Sequence, residues 1–440
     1  MRYASLLLAL LIVSNLNSGA QTVDQLTVEE CVRLGLQNNR SLRTAQLKAN
    51  QAEARQDEAF SALLPSLKAA AGYTRVSDVP DFTVTIPLRP YPATMTLSQA
   101  VLNNYQAKLS LQQPLFAGNR LTSNYSLQRS SAMAARQEAQ ARRGELALEI
   151  KAAYWNLYQA HQVAAVVDDN IRQVEAHLRD VENLAKQGMA TDNDQLKVQL
   201  QLSNARLMRI DAANAIRVAE IGLNNLTGRP LESAVMLASA VDTAQQESAP
   251  LAVLQQQALA ARPELKAMQG RVTAGNAGVT AAQAGWYPQV FGTASYTYAQ
   301  PNQRIFPPQD RFDASWDVGV ALSVDVWNWK TTAHQVAQAK ALRSQAEEAL
   351  AQARDGVMMD VDIAYLDLQK CREKIEVTRT GVAQATENFR TTDERFKNGL
   401  ATNTDLLDAE NLLLQAELNH TRALVEQQIA RARMEKAVGK

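Results

Sequence analysis

The apolar positions along this chain fall into two long runs of three- and four-residue steps, and the second run repeats the first. Ile150, Tyr154, Leu157, Ala160, Ala164, Val167, Ile171, Val174, Leu178, Val181 and Ala185 form the first stripe. Val361, Tyr365, Leu368, Cys371, Ile375, Thr378, Val382, Ala385, Phe389, Thr392 and Phe396 form the second, shifted by 211 positions. Such spacing keeps one helix face apolar and predicts the seam of a long coiled-coil helix in each half. Each stripe stops at a glycine and turns, at 188–194 (GMATDND) and at 399–405 (GLATNTD).

Before each long helix the period changes from helix to strand. A helical pattern over 27–64 is broken by Pro65, and then Leu67, Ala69, Ala71 and Tyr73 alternate with Lys68, Ala70 and Gly72 as a strand. Residues 76–106 contain Pro80, Pro87, Pro90 and Pro92, a density that predicts a loop without regular structure. Ala107, Leu109, Leu111, Gln113 and Leu115 mark a returning strand, and the long helix follows from Asn119. A further helix from Thr191 closes at Gly228-Arg229-Pro230, a glycine cap with proline just beyond. The second half repeats the scheme: helix 251–286, a break at Pro288, strand 291–298, a loop with Pro301, Pro307 and Pro308, strand 316–326, the second long helix and a last helix to 438. The offset is 223 before the hairpins (Pro65/Pro288, Tyr73/Tyr296) and 211 after them (Tyr154/Tyr365, Asp194/Asp405), so the first Pro-rich loop is 12 residues longer. Insertions belong in solvent-exposed loops, which predicts that both hairpin tips face outward.

The domain plan is therefore a leader at 1–20, a first repeat at 21–230, a linker or equatorial segment at 231–250 and a second repeat at 251–440. A long helix of about 104 Å matches two shorter ones of about 57 Å stacked end to end, which predicts a rod roughly 100 Å long.

Composition narrows the function. Forty-five Lys+Arg balance 45 Asp+Glu, so no charged field points to nucleic acid. Arg2, the short apolar core at 6–13 and the small residues Ser18, Gly19 and Ala20 read as a secretory signal peptide. No later stretch is apolar over the ~18 residues a membrane helix needs. If the chain meets a membrane again it does so with strands. Four strands cannot close a barrel, and each unpaired backbone group in lipid costs several kcal/mol. A trimer with about twelve strands is the smallest cyclic solution that leaves an open lumen.

Helix, β-hairpin, long helix and tip-turn helix, twice over, resembles the TolC-type outer-membrane efflux proteins. More specific marks are ARPEL at 261–265, QPLFAGNR at 113–120 and the two G-x-x-T-x-x-D tips. The resemblance covers nearly all of 27–440. It implies a mainly α fold with a small β part: a homotrimer with a 12-stranded β-barrel in outer-membrane lipid and a coiled-coil α-barrel in the periplasm. It further implies a periplasmic adaptor and an inner-membrane transporter of the RND, ABC or MFS type as partners. The function implied is a passive exit duct of an efflux pump or type I secretion system. An exported trimeric stalk or adhesin is the alternative, and it has no use for strands inserted twice.

The resemblance also implies site residues. The turns Gly188, Met189, Ala190, Thr191 and Gly399, Leu400, Ala401, Thr402 would dock the adaptor. Asp405 and Asp408, with Asp194 on the neighbouring tip, would form an acidic ring at the periplasmic mouth. The alternative reading of these acids is helix N-terminal carboxylates favoured by the dipole. Family members latch the mouth with a tyrosine and an arginine, where this chain has Phe396 and Ala401; the expectation is a mouth held by packing, easily opened and cation-selective.

The remaining candidates point away from catalysis. His161, His177, His334 and His420 stand singly, without metal-ligand spacing, and read as solvated or rim histidines. Ser203 and Ser344 have no histidine and carboxylate arrayed around them, and neither a cofactor nor a metal is implied. Cys371 falls on the apolar stripe as a small packed residue. Cys31 and Cys371 lie about 51 Å and about 63 Å from the strand end by helix rise, which argues against a disulfide. Trp286, Tyr287, Trp327 and Trp329 flank the second strand pair and suit a membrane–water interface.

Overall fold

The computed structural model describes residues 25–98, 100–241 and 249–440. The expected leader at 1–20 and residues 242–248 of the linker lie outside the described residues. The first half forms β1 (Gln25–Leu26), α1 (Val28–Asn38), α2 (Arg40–Ser61), β2 (Ser66–Arg75), β3 (Phe82–Ile86), β4 (Ala93–Ser98), β5 (Asn103–Phe116), α3 (Arg120–Lys186) and α4 (Asp192–Thr227). The second forms β6 (Met236–Leu237), α5 (Leu251–Ala261), α6 (Pro263–Gln283), β7 (Gln289–Gln300), β8 (Asp313–Ser323), α7 (Thr331–Lys397) and α8 (Asn403–Ala437).

Three local expectations are corrected. The helices expected over 27–64 and 251–286 are each broken, at Asn39 and Arg262. Asn39 leaves the helix with extended backbone, and its Oδ1 accepts from the amides of Ser41 and Leu42 at 2.9 and 3.3 Å, capping α2. In the second half Pro263 does the same work by lacking an amide hydrogen and pushing Arg262 out of the helical region. The first Pro-rich loop contains a hairpin, β3 against β4. Pro80, Pro87, Pro90 and Pro92 all sit outside the two strands, so no ladder bond is lost. Finally, β8 ends at Ser323, leaving Val324 and Val326 beyond it.

The chain divides into two compact units, each drawing on both halves of the sequence. One takes residues 25–45 together with Gln140–Arg262 and Gly356–Lys440; it is helical. Its core joins Cys31, Leu146, Ile150, Tyr154, Leu157, Leu223 and Val425, all buried. Each fully buried Leu or Ile there contributes about 1.5–3 kcal/mol. Gly35 lets α1 approach α3 closely: a Cβ on it would meet Ile150 Cδ1 at 2.3 Å. The part of the linker that is described does have structure. β6 pairs in parallel with β1, and Tyr154 ties the pair to α3. Its hydroxyl donates to Leu26 O at 3.0 Å and accepts from the Ser239 amide at 2.9 Å. Both thiols are buried, and burial pushes Cys31 up to about 11.

The second unit takes Gln46–Ala139 and Pro263–Asp355. Besides the β3–β4 hairpin it holds a four-stranded antiparallel sheet in the order β2-β5-β7-β8, so β2 and β8 are its open edges. At the joints where β5 leads into α3 and β8 into α7, Gly118-Asn119 and Trp329-Lys330 occupy matching positions, all four with positive φ.

Candidate functional site

Two features of the fold could do work: the helix tips and the two faces of the sheet. Each tip is built by the same local chemistry. At the end of α3 the Met189 amide donates to Leu184 O at 2.9 Å and the Gly188 amide to Ala185 O at 3.0 Å. At the end of α7 the Leu400 amide donates to Arg395 O at 2.7 Å and the Gly399 amide to Phe396 O at 2.9 Å. This pairing turns the chain through a left-handed residue, and Gly188 (φ 73°) and Gly399 (φ 72°) supply it without a Cβ penalty. Thr191 and Thr402 then cap α4 and α8. Each hydroxyl accepts from the amide three residues on, at 3.2 Å, and the aspartate there reaches back to the threonine amide.

Asp194 and Asp405 are therefore capping carboxylates first. Their Oδ2 atoms accept from the Thr191 and Thr402 amides at 3.1 and 2.8 Å, and from the hydroxyls at 2.7 Å. These bonds hold both carboxyls below their ordinary range, chiefly through the Thr191 hydroxyl for Asp194 and the Thr402 amide for Asp405. A lowered carboxyl stabilises the fold at neutral pH and loses that contribution as pH falls through the lowered value. Asp408, one turn further into α8, is exposed. Met189 and Leu400 are exposed at the turns themselves, whereas Ala190 and Ala401 pack partly against the core below.

That core joins Val174, Val181, Val198, Leu202, Phe396 and Leu406. Phe396 is buried in it, edge-on to the His177 ring at 5.2 Å. His177 is not the solvated residue expected: it sits in the α3 stripe between Val174 and Val181, 2% exposed, with its Nδ1 3.3 Å from Oε1 of Glu410, which is 1% exposed. His161 and His334 are exposed, and His420 is half-buried against the Thr378 hydroxyl at 3.1 Å. Between the tips the Asn403 side chain donates to Asp194 O at 3.2 Å, and Gln201 donates to Asn411 Oδ1 at 2.7 Å. The threonine caps were readable as T-x-x-D before each helix; the His177–Glu410 pair had no local signal, because its members are far apart in sequence.

The sheet separates two chemistries. On one face β8 presents Trp316, Val318, Val320 and Leu322, each exposed and apolar, beside Tyr296, Leu109, Leu111 and Leu67 from the neighbouring strands. On the other face register places Lys68, Ser110, Ser295 and Asp317 in one row across the strands, with Lys108, Thr297 and Ser315 in the next. The loop after β7 folds onto this polar face: Arg304 donates to Asp317 Oδ1 at 2.6 Å and to Trp316 O at 3.0 Å, and Asn302 donates to Ser315 Oγ at 3.0 Å. Trp286, Tyr287, Trp327 and Trp329 remain exposed beside the sheet, as an interfacial set would be. Among the described residues no helix is long and apolar enough to cross a membrane.

Comparison with known proteins agrees with this architecture. The family model described as Outer membrane efflux protein matches residues 32–229 and 254–440. The chain is 24% identical over 312 residues to the outer membrane efflux protein BepC of Brucella suis, covering 70% of this chain and 66% of BepC. It is 26% identical over 276 residues to the protein CyaE of Bordetella pertussis, covering 62% of this chain and 57% of CyaE. The matched stretches thus span just under two thirds of one relative and somewhat over half of the other. Among solved structures, CusC superposes with a TM-score of 0.80 at 17% identity over 94% of this chain and 92% of that one. The open-state MtrE channel of Neisseria gonorrhoeae gives 0.77 at 18% identity over 94% and 88%. The fold is that of these helical outer-membrane channels, and with both of its repeats matched the chain belongs to the outer membrane efflux protein family.

Proposed function

We propose that the chain is a passive exit duct of an efflux pump or secretion system, working as a homotrimer in the outer membrane. The observation that carries this reading is the four-stranded sheet with an exposed apolar face, a polar face and two open edges. An edge in lipid leaves backbone groups unpaired, so the sheet is stable there only when β2 and β8 meet the edges of other copies. Three copies supply twelve strands around a lumen. A purely structural stalk would give such a sheet no role. The duct has no energy source, so a periplasmic adaptor and an inner-membrane transporter supply the driving step. The tip turns are the surface we assign to the adaptor, with Met189 and Leu400 foremost. Asp408, which has no part in the caps, is the best-placed member of an acidic mouth; Asp194 and Asp405 add charge there through their remaining carboxylate oxygens.

The test is replacement of Gly188 and Gly399 by valine in cells that depend on the pump. A β-branched residue at positive φ is strained by about 1–2 kcal/mol, enough to reshape a turn without unfolding long helices. The expected result is loss of export with normal amounts of assembled trimer in the outer membrane. Loss of the trimer itself would assign the turns to folding and remove them as a docking surface.

A further inference from the structure

The four strands of the sheet contain five charged side chains: Lys68, Arg75, Lys108, Asp313 and Asp317. Register places Lys68, Lys108, Asp313 and Asp317 on the polar face, and Arg75 on the other face at the end of β2. Both acids on the polar face already have an arginine partner, although Asp317 also feels the charge of Lys108. Asp317 accepts from Arg304 at 2.6 Å and from Ser295 at the same distance, and Asp313 accepts from Arg311 at 3.0 Å. Both arginines come from the loop after β7, which is pinned to the strand end by Asn302, donating to Asp313 O at 3.0 Å and accepting from the Arg304 amide at 3.0 Å. The loop thus neutralises the acids of the face it covers. Lys68 and Lys108 are exposed on that face, and no ion pair joins either of them to an acid among the described residues. A cavity of about 230 Å³ lies between Lys108, Gln106, Ser295, Thr297 and Arg304.

We infer that this face is a cationic station in the lumen that favours anionic solutes, those bearing carboxylate or phosphate groups, with Lys68 and Lys108 as the selecting residues. The inference rests on the closed-barrel reading above, in which the polar face points inward. Closure by three copies would put six lysines that stand outside any ion pair around one passage with low-dielectric walls. Like charges arranged in a ring inside such walls focus the field and concentrate counter-ions. This is the opposite preference to that of an acidic periplasmic mouth, so the two stations are separable by experiment.

The purified protein is reconstituted into planar bilayers, and reversal potentials are read in a potassium chloride gradient. The lysine station and the acidic mouth act in series, so each variant is read as a change in permeability ratio against the wild type. Lys68→Gln with Lys108→Gln should lower the chloride-to-potassium permeability ratio several-fold, and Lys108→Glu should lower it further. The difference should shrink as salt rises, since screening shortens from about 10 Å at 0.1 M to about 3 Å at 1 M. Inorganic phosphate should reduce the current of the wild type more than that of the double variant. Asp408→Asn, read in the same way, reports the mouth alone and should move selectivity towards chloride. Channels of normal conductance whose selectivity ignores both lysines would overturn the inference and leave the duct standing. Failure of the wild type to form any channel would overturn the duct itself.

Discussion

Replacing His177 with alanine is expected to cost the helical tip about 2–5 kcal/mol, chiefly through the cavity it leaves in a packed core. The change removes the imidazole nitrogen that lies 3.3 Å from Oε1 of Glu410, which is 1% exposed, and so takes a polar neighbour from a buried carboxyl. It also removes the ring against which Phe396 packs edge-on. The double change His177→Leu with Glu410→Met should recover most of the loss, because apolar groups of similar volume fill the space and leave no polar atom buried without a partner. Hydrogen exchange on the detergent-solubilised protein reads this out: peptides covering 174–202 and 396–414 should lose protection in the single variant and regain it in the double. Equal loss in both would show that the two residues do not act as a pair and that packing volume alone matters.

Arginine at Val320 should destabilise the inserted sheet by about 2–4 kcal/mol, whereas arginine at Ala321 should be tolerated. The two positions are adjacent in β8 and differ in face: Val320 stands 71% exposed among Trp316, Val318 and Leu322, and Ala321 points to the polar side with Gly319 and Asp317. In lipid the first would place a charge in hydrocarbon, and the second would place it in the lumen. The measurement is the yield of assembled, outer-membrane-embedded channel for each variant. Equal yields would mean that the assignment of faces is wrong, and with it the placement of the selecting lysines.

How much of this was legible in the sequence varies with range. The strand alternation of Trp316, Val318, Val320 and Leu322 needs no partner to be read, because period two is a property of the local chain. The long stripes were equally plain; Ile150, Tyr154, Leu157, Val167, Val174 and Val181 are all buried. The break before Pro263 was readable from proline chemistry alone, while its counterpart at Asn39 depends on one side chain turning back on two amides. The β3–β4 hairpin is invisible to proline density alone, because Pro80, Pro87, Pro90 and Pro92 all lie outside its two strands. His177 and Arg304 were out of reach for a different reason. What each does is set by a residue on another element, Glu410 and Asp317, and no periodicity encodes such a meeting. The acids of the tips fall between these cases: the motif named the residues, and the geometry showed that their first task is to cap.

The construction of the tips has a consequence for how such ducts diversify. Each turn closes its own hydrogen bonds between Leu184 and Asp194, or between Arg395 and Asp405, with glycine and threonine as the fixed points. Its shape is thus written in eleven consecutive residues. The side chains that such a frame displays, Met189 in one copy and Leu400 in the other, take no part in those side-chain caps. They are free to change without altering the turn. A tip of this kind is a portable module: its geometry can be inherited unchanged while its outward surface is rewritten for each new partner.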